Sequence, residues 1–274
     1  MDIEANTEKK INIWCYDQLS IYLNGFLNII RPKVQEYNII ITPILVLLNI
    51  IFFVSDLGLA VNFCSNGEIF VNTICSNLLL ITPWGALDPN NVVNKLITLF
   101  SYSLHHLNFA HIFMNSVALL LVGCFMEKKY GPMRILILYL IGVLGSGFLL
   151  WWWYLNTNAI PLGASGGIYG IMSLFLSDLI LNPETVKSKI LSLIIIISVI
   201  ISLIIECVIP LNIAVGGHIG GTIASFSASI CILPHFKYRK YDFIVFIFAG
   251  IIFTLEFIIL PTILYVNQYK NIYG

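Results

Sequence analysis

A serine and a histidine stand among glycines in two separate apolar segments, and residues of these types can perform nucleophilic catalysis together. Ser165 lies in the run GASGGIYG at 163–170, and His218 lies in the run GGHIGG at 216–221. A serine hydroxyl is a weak nucleophile until a neighbouring base accepts its proton, and an imidazole titrates in the range that suits this task. The two segments therefore indicate acyl transfer if the fold brings them into contact.

A third polar segment, HIFMN at 111–115, supplies hydrogen-bond donors. His111 and Asn115 are four residues apart, so on a helix their side chains share one face. Acyl transfer requires donors directed at the oxyanion that develops on the substrate. We therefore predict that His111 and Asn115 form an oxyanion hole, with added stabilisation from the free N–H groups at the start of the helix that contains Ser165.

Tyr169 follows Ser165 by four residues, so these two side chains also share a helical face. The phenol ring is expected to pack against the His218 imidazole and to fix its tilt. No acidic residue stands at the level of this pair in the same segments, whereas Asp178 and Glu206 fall near helix ends, where water can reach them. The sequence thus predicts a serine–histidine dyad and not a triad.

Two pairs of glycines flank the candidate dyad. Gly166 and Gly170 are four residues apart, and so are Gly217 and Gly221. Small residues at this spacing let helix backbones approach closely in lipid. On their own such pairs indicate only helix packing. Beside a serine and a histidine at matched depth, they predict that the two helices pack face to face and join the dyad.

Other chemistries find little support in the remaining polar residues. His106 and His111 are five residues apart, which does not fit the geometry of an HExxH zinc site, and the sequence contains no HExxH, CxxC or GxGD motif. We therefore expect no metal and no cofactor. His105 and His106 are expected at the water boundary as solvated residues, and Glu256, in the middle of an apolar run, is expected to be protonated or paired.

The elements that carry these residues are those of a membrane protein. The chain has 274 residues, of which 58% are hydrophobic and 10% charged, with a mean hydropathy of +0.91. A soluble domain is less apolar and about 25% charged, so this composition excludes a water-soluble domain, a disordered tail and a coiled coil. The formal net charge of zero indicates no surface for nucleic acid, and the lipid bilayer is the expected environment.

The apolar runs predict the number of membrane crossings. A helix needs ~20 apolar residues to cross the hydrocarbon core, and these runs are too long and too unpatterned for barrel strands. We predict an all-α polytopic membrane protein with seven spans, at 39–61, 104–126, 133–154, 163–182, 189–209, 213–233 and 242–266. Asn156, Asn158 and Pro161 mark the expected break between the third and fourth spans.

The distribution of basic residues predicts the direction of the spans. Of the 14 Lys and Arg residues, all but Lys95 and Lys270 lie in the first 38 residues or in the segments 127–134, 183–189 and 234–241. By the positive-inside rule the N-terminus is cytoplasmic and the C-terminus is lumenal or extracellular. The second, fourth and sixth spans then begin at the outer face, which places the three polar segments at one depth.

The chain is expected to divide into three parts. Residues 1–38 form a cytoplasmic arm, in which 11–30 lie on the membrane surface as an amphipathic helix, a crossing being the less favoured alternative. Residues 39–233 form a core of six spans with a long outer loop at 62–103, and residues 234–274 form a basic inner loop, the seventh span and a short outer tail. Cys64 and Cys75 share the outer loop, where a disulfide is one alternative and free thiols the other.

Together these motifs resemble the rhomboid intramembrane serine proteases. The GxSG at 163–166, the HxxxN at 111–115, an ExxxG-like cap at 127–131 and the HIGG at 218–221 follow the order, spacing and helix assignment of that family. The resemblance covers about residues 39–266. A seventh span after a rhomboid-like six-helix core is similar to the eukaryotic secretory-pathway members.

The resemblance implies a serine endopeptidase with Ser165 as nucleophile and His218 as general base. It implies that the Ser165 N–H joins His111 and Asn115 in the oxyanion hole. It also implies an outward-facing, water-accessible cavity, with the fifth helix gating lateral access of the substrate. The residues that would support the site are Tyr169, Gly163, Gly166, Gly217 and Gly221.

The substrates implied by the resemblance are single-pass transmembrane proteins, cut in a process of regulated shedding. They would carry helix-destabilising residues near the outer membrane boundary and a small residue before the scissile bond. The implied location is a secretory-pathway, secretory-organelle or plasma membrane. Two departures are notable: Ile97-Thr98 replace a frequent Trp-Arg pair, so that loop is expected to be anchored differently, through Trp84, and Ser225 replaces a packing glycine but is small enough to keep the contact.

A non-catalytic relative that binds membrane proteins and directs their trafficking or degradation is the main alternative. Such relatives typically lack the serine or the histidine, and this chain has both. A seven-helix receptor or transporter is less favoured, because polar segments on alternate helices at one face offer no path through the membrane.

Overall fold

The structure is a computed structural model that describes residues 36–63, 85–208, 214–236, 239 and 241–273. All regular secondary structure in these ranges is helical. Three predictions lie outside the described residues: the surface helix at 11–30, the disulfide between Cys64 and Cys75, and the anchoring role of Trp84.

Seven long helices account for the seven predicted spans. They are α1 Ile41–Phe63, α2 Phe109–Tyr130, α3 Pro132–Trp153, α4 Ser165–Leu181, α5 Lys189–Val208, α6 Val215–Ile232, and α7, which runs through Asp242–Thr254, a π-helical turn at Leu255–Ile259, and Leu260–Tyr273. Among the described residues, 6 helices are long and apolar enough to cross a membrane. Helix α4 is shorter, with 17 residues. The all-α polytopic prediction is confirmed, and the chain is an integral membrane protein.

The second span begins later than the predicted 104–126. The segment Tyr102–Leu104 is a 3₁₀ turn, and α2 starts only at Phe109. Asn108 explains the shift, because its side-chain oxygen accepts a hydrogen bond from the backbone N–H of His111 at 2.9 Å. An asparagine in this position satisfies a free donor of the first turn and fixes the helix start.

Helices α3 and α6 lie at the centre of the bundle, together with α4. In the most apolar stretch of each helix, 67% of the residues of α6 and 56% of those of α3 are buried, against 17% for α5 and 11% for α7. The side chains of α5 and α7 therefore face mainly outward, towards the region that lipid covers. Glu256 is an exception: it is buried in the π-helical turn of α7, where the described residues offer its Oε2 no hydrogen-bond partner.

The glycine pairs let the central helices touch backbone to backbone. A Cβ atom on Gly221 would collide with the carbonyl oxygen of Gly166, so α6 lies directly on α4 at this point. Gly217 faces a different helix, since a Cβ there would lie 2.8 Å from Ser146 Oγ of α3. The predicted contact between the two glycine faces thus holds for Gly221 and Gly166, whereas Gly217 seats α6 on α3.

Ser225 keeps the close contact that a glycine would make at this position. Its Oγ donates a hydrogen bond to the carbonyl oxygen of Leu138 at 2.8 Å and is buried between α3, α4 and α6. A Cβ atom on Gly142 would lie 2.7 Å from the same Oγ. The hydroxyl therefore fills the crossing point and bonds α6 to the backbone of α3.

Glu127 joins the end of α2 to the start of α1. Its Oε1 accepts hydrogen bonds from the backbone N–H groups of Ile40 and Ile41 at 2.6 Å each, and its Oε2 accepts one from Thr42 at 2.8 Å. Gly131 ends α2 with a φ of 87°, a conformation that glycine adopts without strain. The ExxxG-like segment is therefore a helix cap in which a carboxylate satisfies the free donors of another helix.

Glu127→Gln should destabilise the fold by about 2–3 kcal/mol, because the amide removes the negative charge from three backbone donors. The melting temperature in detergent should fall by about 5–10 °C. Glu36→Gln is the matched control: Glu36 pairs with Lys128 and Lys187 on the surface, so its melting temperature should stay near that of the unmodified protein. An equal fall for both variants would contradict the capping role of Glu127.

Among the described residues of the basic flanks, Lys128, Lys129 and Lys187 lie at one end of the bundle. Glu36 pairs with Lys128, at 3.1 Å, and with Lys187. These lysines, Lys187 first, hold the pKa of Glu36 below its usual value. Asp178 lies at the same end and pairs with Lys129 at 2.6 Å, but only 2% of its side chain is exposed. The prediction that Asp178 reaches water is therefore wrong, since it is buried in an ion pair.

Candidate active site

Ser165 and His218 are in direct contact. Ser165 is the first residue of α4, and His218 lies in the first turn of α6. Ser165 Oγ lies 2.8 Å from His218 Nε2, which is a hydrogen bond. The two glycine-rich segments thus place an alcohol and an imidazole from different helices side by side, with the Gly221–Gly166 contact one turn further along α6.

Gly163 shapes the backbone that enters α4. Its φ of 118° strains any residue other than glycine. A Cβ atom at Gly163 would lie 2.8 Å from the His111 ring and 3.5 Å from Asn115 Nδ2. Its backbone N–H donates to the carbonyl oxygen of Tyr102 at 2.9 Å. The glycine therefore lets the start of α4 lie directly against the polar face of α2.

His111 and Asn115 line the same cavity as Ser165 and His218. Nδ2 of Asn115 is buried and has no hydrogen-bond partner among the described residues. A buried donor without a partner is costly, and such groups in native proteins commonly serve a function. This N–H₂ group is therefore free to donate to an atom of a bound substrate.

Tyr169 packs flat on the His218 ring. Their ring centroids are 4.1 Å apart and the planes differ by 7°. The contact restricts rotation of the imidazole out of its plane and helps to keep Nε2 directed at Ser165. The structure therefore brings together the tyrosine, histidine and serine that the sequence grouped.

Glu206 also belongs to this cluster, contrary to the prediction that no acidic residue accompanies the pair. Its Oε2 lies 2.7 Å from His218 Nδ1, on the side of the ring opposite Ser165. Only 8% of Glu206 is exposed, so it does not project into water. The topology contained a signal for this contact. Helix α5 runs opposite to α4 and α6, and its last turn must lie level with their first turns.

His105 and His106 are buried, so the prediction that they are solvated at the water boundary is wrong. His105 Nδ1 lies 2.7 Å from Asp56 Oδ2 of α1. His106 is fully buried beside His111, with ring centroids 5.1 Å apart. Burial lowers the pKa of His106 to about 3, so this ring is neutral at pH 7. His106 therefore packs behind His111, whereas His105 fastens this segment to α1.

The cavity around the cluster has a volume of about 1060 Å³ and combines polar and apolar walls. Its polar wall is the cluster described above. Its apolar wall comes from α2, α4 and α5 and includes Met114, Ala118, Met172 and Val199. A space of about this size is at the upper end of the range of ligand-binding cavities in proteins.

Comparison with known proteins identifies the family. The Rhomboid domain model matches residues 93–235, which is more than half of the 274-residue chain. Helices α2 to α6, and thus every residue of the cluster, lie inside this match.

Similar proteins bear the same family name. RHOMBOID-like protein 4 of Arabidopsis thaliana is 33% identical over 118 residues, 42% of this chain and 29% of that protein. Inactive RHOMBOID-like protein 8 of the same plant is 36% identical over 112 residues, 40% of this chain and 30% of that protein. Rhomboid-related protein 3 of Homo sapiens is 30% identical over 87 residues, 32% of this chain and 21% of that protein.

The aligned part of the chain thus spans less than a third of the length of these curated relatives, and one of them is named inactive. These relatives support membership of the family, but their names do not show whether this chain is active. With the family model matching more than half of its length, the chain belongs to the rhomboid family.

Proposed function

We propose that this chain is an intramembrane serine endopeptidase that cleaves transmembrane segments of single-pass membrane proteins near the outer or lumenal face. The observation that carries the proposal is the 2.8 Å contact between Ser165 Oγ and His218 Nε2. It lies in a cavity that also presents the unpartnered Nδ2 of Asn115. A nucleophile, a base and a free donor in one cavity are the groups that acyl transfer requires.

The proposed reaction has two stages. His218 Nε2 accepts the proton of Ser165 Oγ while the oxygen attacks the scissile carbonyl carbon. The oxyanion accepts hydrogen bonds from Asn115, from His111 and from the Ser165 backbone N–H. His218 then donates its proton to the departing amine, which leaves an acyl ester on Ser165. In the second stage a water molecule gives a proton to His218 Nε2 and attacks the ester, and His218 returns the proton to Ser165 Oγ as the acid product leaves.

The proposed orientation follows the basic flanks. With these flanks in the cytoplasm, the N-terminus is cytoplasmic, the C-terminus is lumenal or extracellular, and the Ser165 cluster lies near the outer face. The protein would then act in a secretory-pathway, secretory-organelle or plasma membrane. Its substrates would be transmembrane proteins whose helices unwind readily at that depth.

A test of the activity uses the purified protein in vesicles together with a single-pass substrate that carries a different tag at each end. We expect two products, with the cut located by mass spectrometry near the outer end of the transmembrane segment. The non-catalytic alternative, suggested by the relative named inactive, predicts that the substrate binds and stays intact. Binding without products would overturn the proposal.

Asn115→Ala should lower kcat by ~10²–10³-fold with little change in KM, because one oxyanion donor is lost and others remain. The melting temperature should not fall much, since Nδ2 of Asn115 has no partner among the described residues to lose. Asn115→Asp, which keeps the size but cannot donate when ionised, is the second variant. A loss of activity accompanied by a loss of folding in both variants would instead indicate a structural role for Asn115.

A further inference from the structure

Glu206 is a buried carboxylate on α5, a helix whose other residues are apolar apart from Lys189 and three serines. It lies in the last turn of α5. The other buried residues of that helix, Ser192 and Val199, lie closer to its start. A carboxylate in such a place is expensive unless hydrogen bonds satisfy it. Here its bonds are made to the site: Oε2 contacts His218, and Oε1 accepts from the Tyr169 hydroxyl at 2.9 Å and from Ser202 Oγ at 2.8 Å.

We propose that Glu206 is a positioning residue that completes a hydrogen-bonded chain Ser165–His218–Glu206, so that the site is fully active only while the end of α5 is docked. This inference rests on the proposed protease function. It makes the site a triad in place of the dyad that the sequence indicated.

The two ring nitrogens of His218 explain how the carboxylate acts. Nε2 lies 2.8 Å from Ser165 Oγ, and Nδ1 lies 2.7 Å from Glu206 Oε2. An ionised carboxylate only accepts hydrogen bonds, so the proton of a neutral imidazole is held on Nδ1. The lone pair then stands on Nε2, the atom that must accept the serine proton. Without the carboxylate, some of the His218 rings carry the proton on Nε2 instead. In that tautomer Nε2 has no lone pair with which to accept the Ser165 proton.

Tyr169 links the carboxylate to the face of the ring. It stacks on His218 and donates its hydroxyl proton to Glu206 Oε1. The imidazole is thus held edge-on by Glu206 and face-on by Tyr169, and these two side chains hold each other. The His218 ring can leave its position only if both contacts yield.

The position of Glu206 connects this chain of hydrogen bonds to the most exposed side of the core. In the apolar stretch of α5 only 17% of the residues are buried, against 67% in α6. A displacement of the α5 end away from α4 and α6 would withdraw the carboxylate from His218 while the contact of α4 with α6 stays intact. The docking of α5 therefore sets the orientation of the general base.

The test compares Glu206→Gln with Ser192→Ala in the purified full chain. Glu206→Gln keeps the shape but removes the obligate acceptor beside Nδ1. We expect the rate of fluorophosphonate labelling of Ser165 and the kcat for a transmembrane substrate to fall together, by roughly 10- to 100-fold, with KM unchanged. Ser192→Ala removes a hydroxyl near the other end of α5, which donates to the carbonyl oxygen of Ser188 at 3.2 Å, so both rates should stay near those of the unmodified protein.

A spectroscopic readout separates positioning from mere structural support. In ¹⁵N-histidine spectra we expect the His218 signal of the unmodified protein to show a protonated Nδ1 and a free Nε2, and Glu206→Gln to change this pattern. Glu206→Asp keeps the anion and should recover part of the lost labelling rate. If Glu206→Gln does not fold, the test relies on Glu206→Asp, whose labelling rate should be reduced and whose spectrum should still show a protonated Nδ1.

Two results would overturn the inference. The first is labelling and cleavage by Glu206→Gln at the rates of the unmodified protein. The second is a change in KM alone with normal labelling, which would mean that Glu206 only fastens α5. Neither bears on the protease proposal, which fails separately if the unmodified protein is neither labelled nor active.

Discussion

Ser165→Ala should lower the rate of cleavage on the order of 10⁴-fold or more and abolish labelling by fluorophosphonates, because the oxygen that attacks the carbonyl carbon is removed. The remaining donors still bind the substrate, so KM should change little. The fold should also be kept, since among the described residues the hydroxyl makes one hydrogen bond, to His218. The measurement is cleavage of a single-pass substrate in vesicles, with the melting temperature recorded on the same preparation.

Ser198→Ala is the matched control for this change. Ser198 lines the same cavity, but its Oγ donates to the carbonyl oxygen of Ile195 on its own helix at 2.7 Å. It should retain nearly full activity. Undiminished cleavage by purified Ser165→Ala would refute Ser165 as the nucleophile.

Gly221→Ala should damage both the fold and the site. The new Cβ would collide with the carbonyl oxygen of Gly166, and a backbone atom cannot swing aside as a side chain can. Helix α6 must move away from α4, at a cost of about 1–3 kcal/mol. His218 lies on the same helix one turn earlier, so it shifts relative to Ser165. A displacement near 1 Å would lower kcat by roughly 10²-fold.

Gly250→Ala separates this effect from the general effect of a glycine-to-alanine change. Gly250 lies in α7, and a Cβ there would have no neighbour within 4 Å. That variant should be as stable as the unmodified protein or slightly more stable, because alanine is the better helix former. If Gly221→Ala has the melting temperature and activity of Gly250→Ala, the backbone contact does not hold the site together.

The sequence was sufficient for the helices and for most of the cluster. The apolar runs predicted seven helices, and the break at Asn156 coincides with a residue in the left-handed region, with a φ of 63°. Ser165 and His218 could be grouped because each lies in the first turn of a helix with the same direction, and Tyr169 because it follows Ser165 by four residues on one helical face. When the direction of each helix is known, the position of a residue along its helix gives its depth in the membrane. Only residues at similar depth can contact one another.

The predictions that are wrong concern polar residues that contact distant parts of the chain. The place of Glu206 near a helix end predicts contact with water, but His218 and Tyr169, on two other helices, cover it. Asp178 is buried in the same way by Lys129, and His105 by Asp56 of α1. A polar residue at the end of a transmembrane helix faces water or protein according to what packs beside it. A single sequence does not reveal those neighbours.

The glycine contacts were also predicted only in part. The spacing of Gly217 and Gly221 predicted a close approach of helices, which the structure contains. The spacing did not reveal that the two glycines face different partners, with Gly221 against α4 and Gly217 against α3. Helix α6 thus touches both neighbours within one turn of His218, which contacts Ser165.

The most direct measurement is to react the purified protein with a fluorophosphonate and locate the modified residue by mass spectrometry. A fluorophosphonate bonds to a serine oxygen only where a base activates it. We expect one adduct, on Ser165, and its loss in His218→Ala. A protein that folds and binds lipid but forms no adduct, or that carries the adduct on a different serine such as Ser198 or Ser202, would contradict the proposed site.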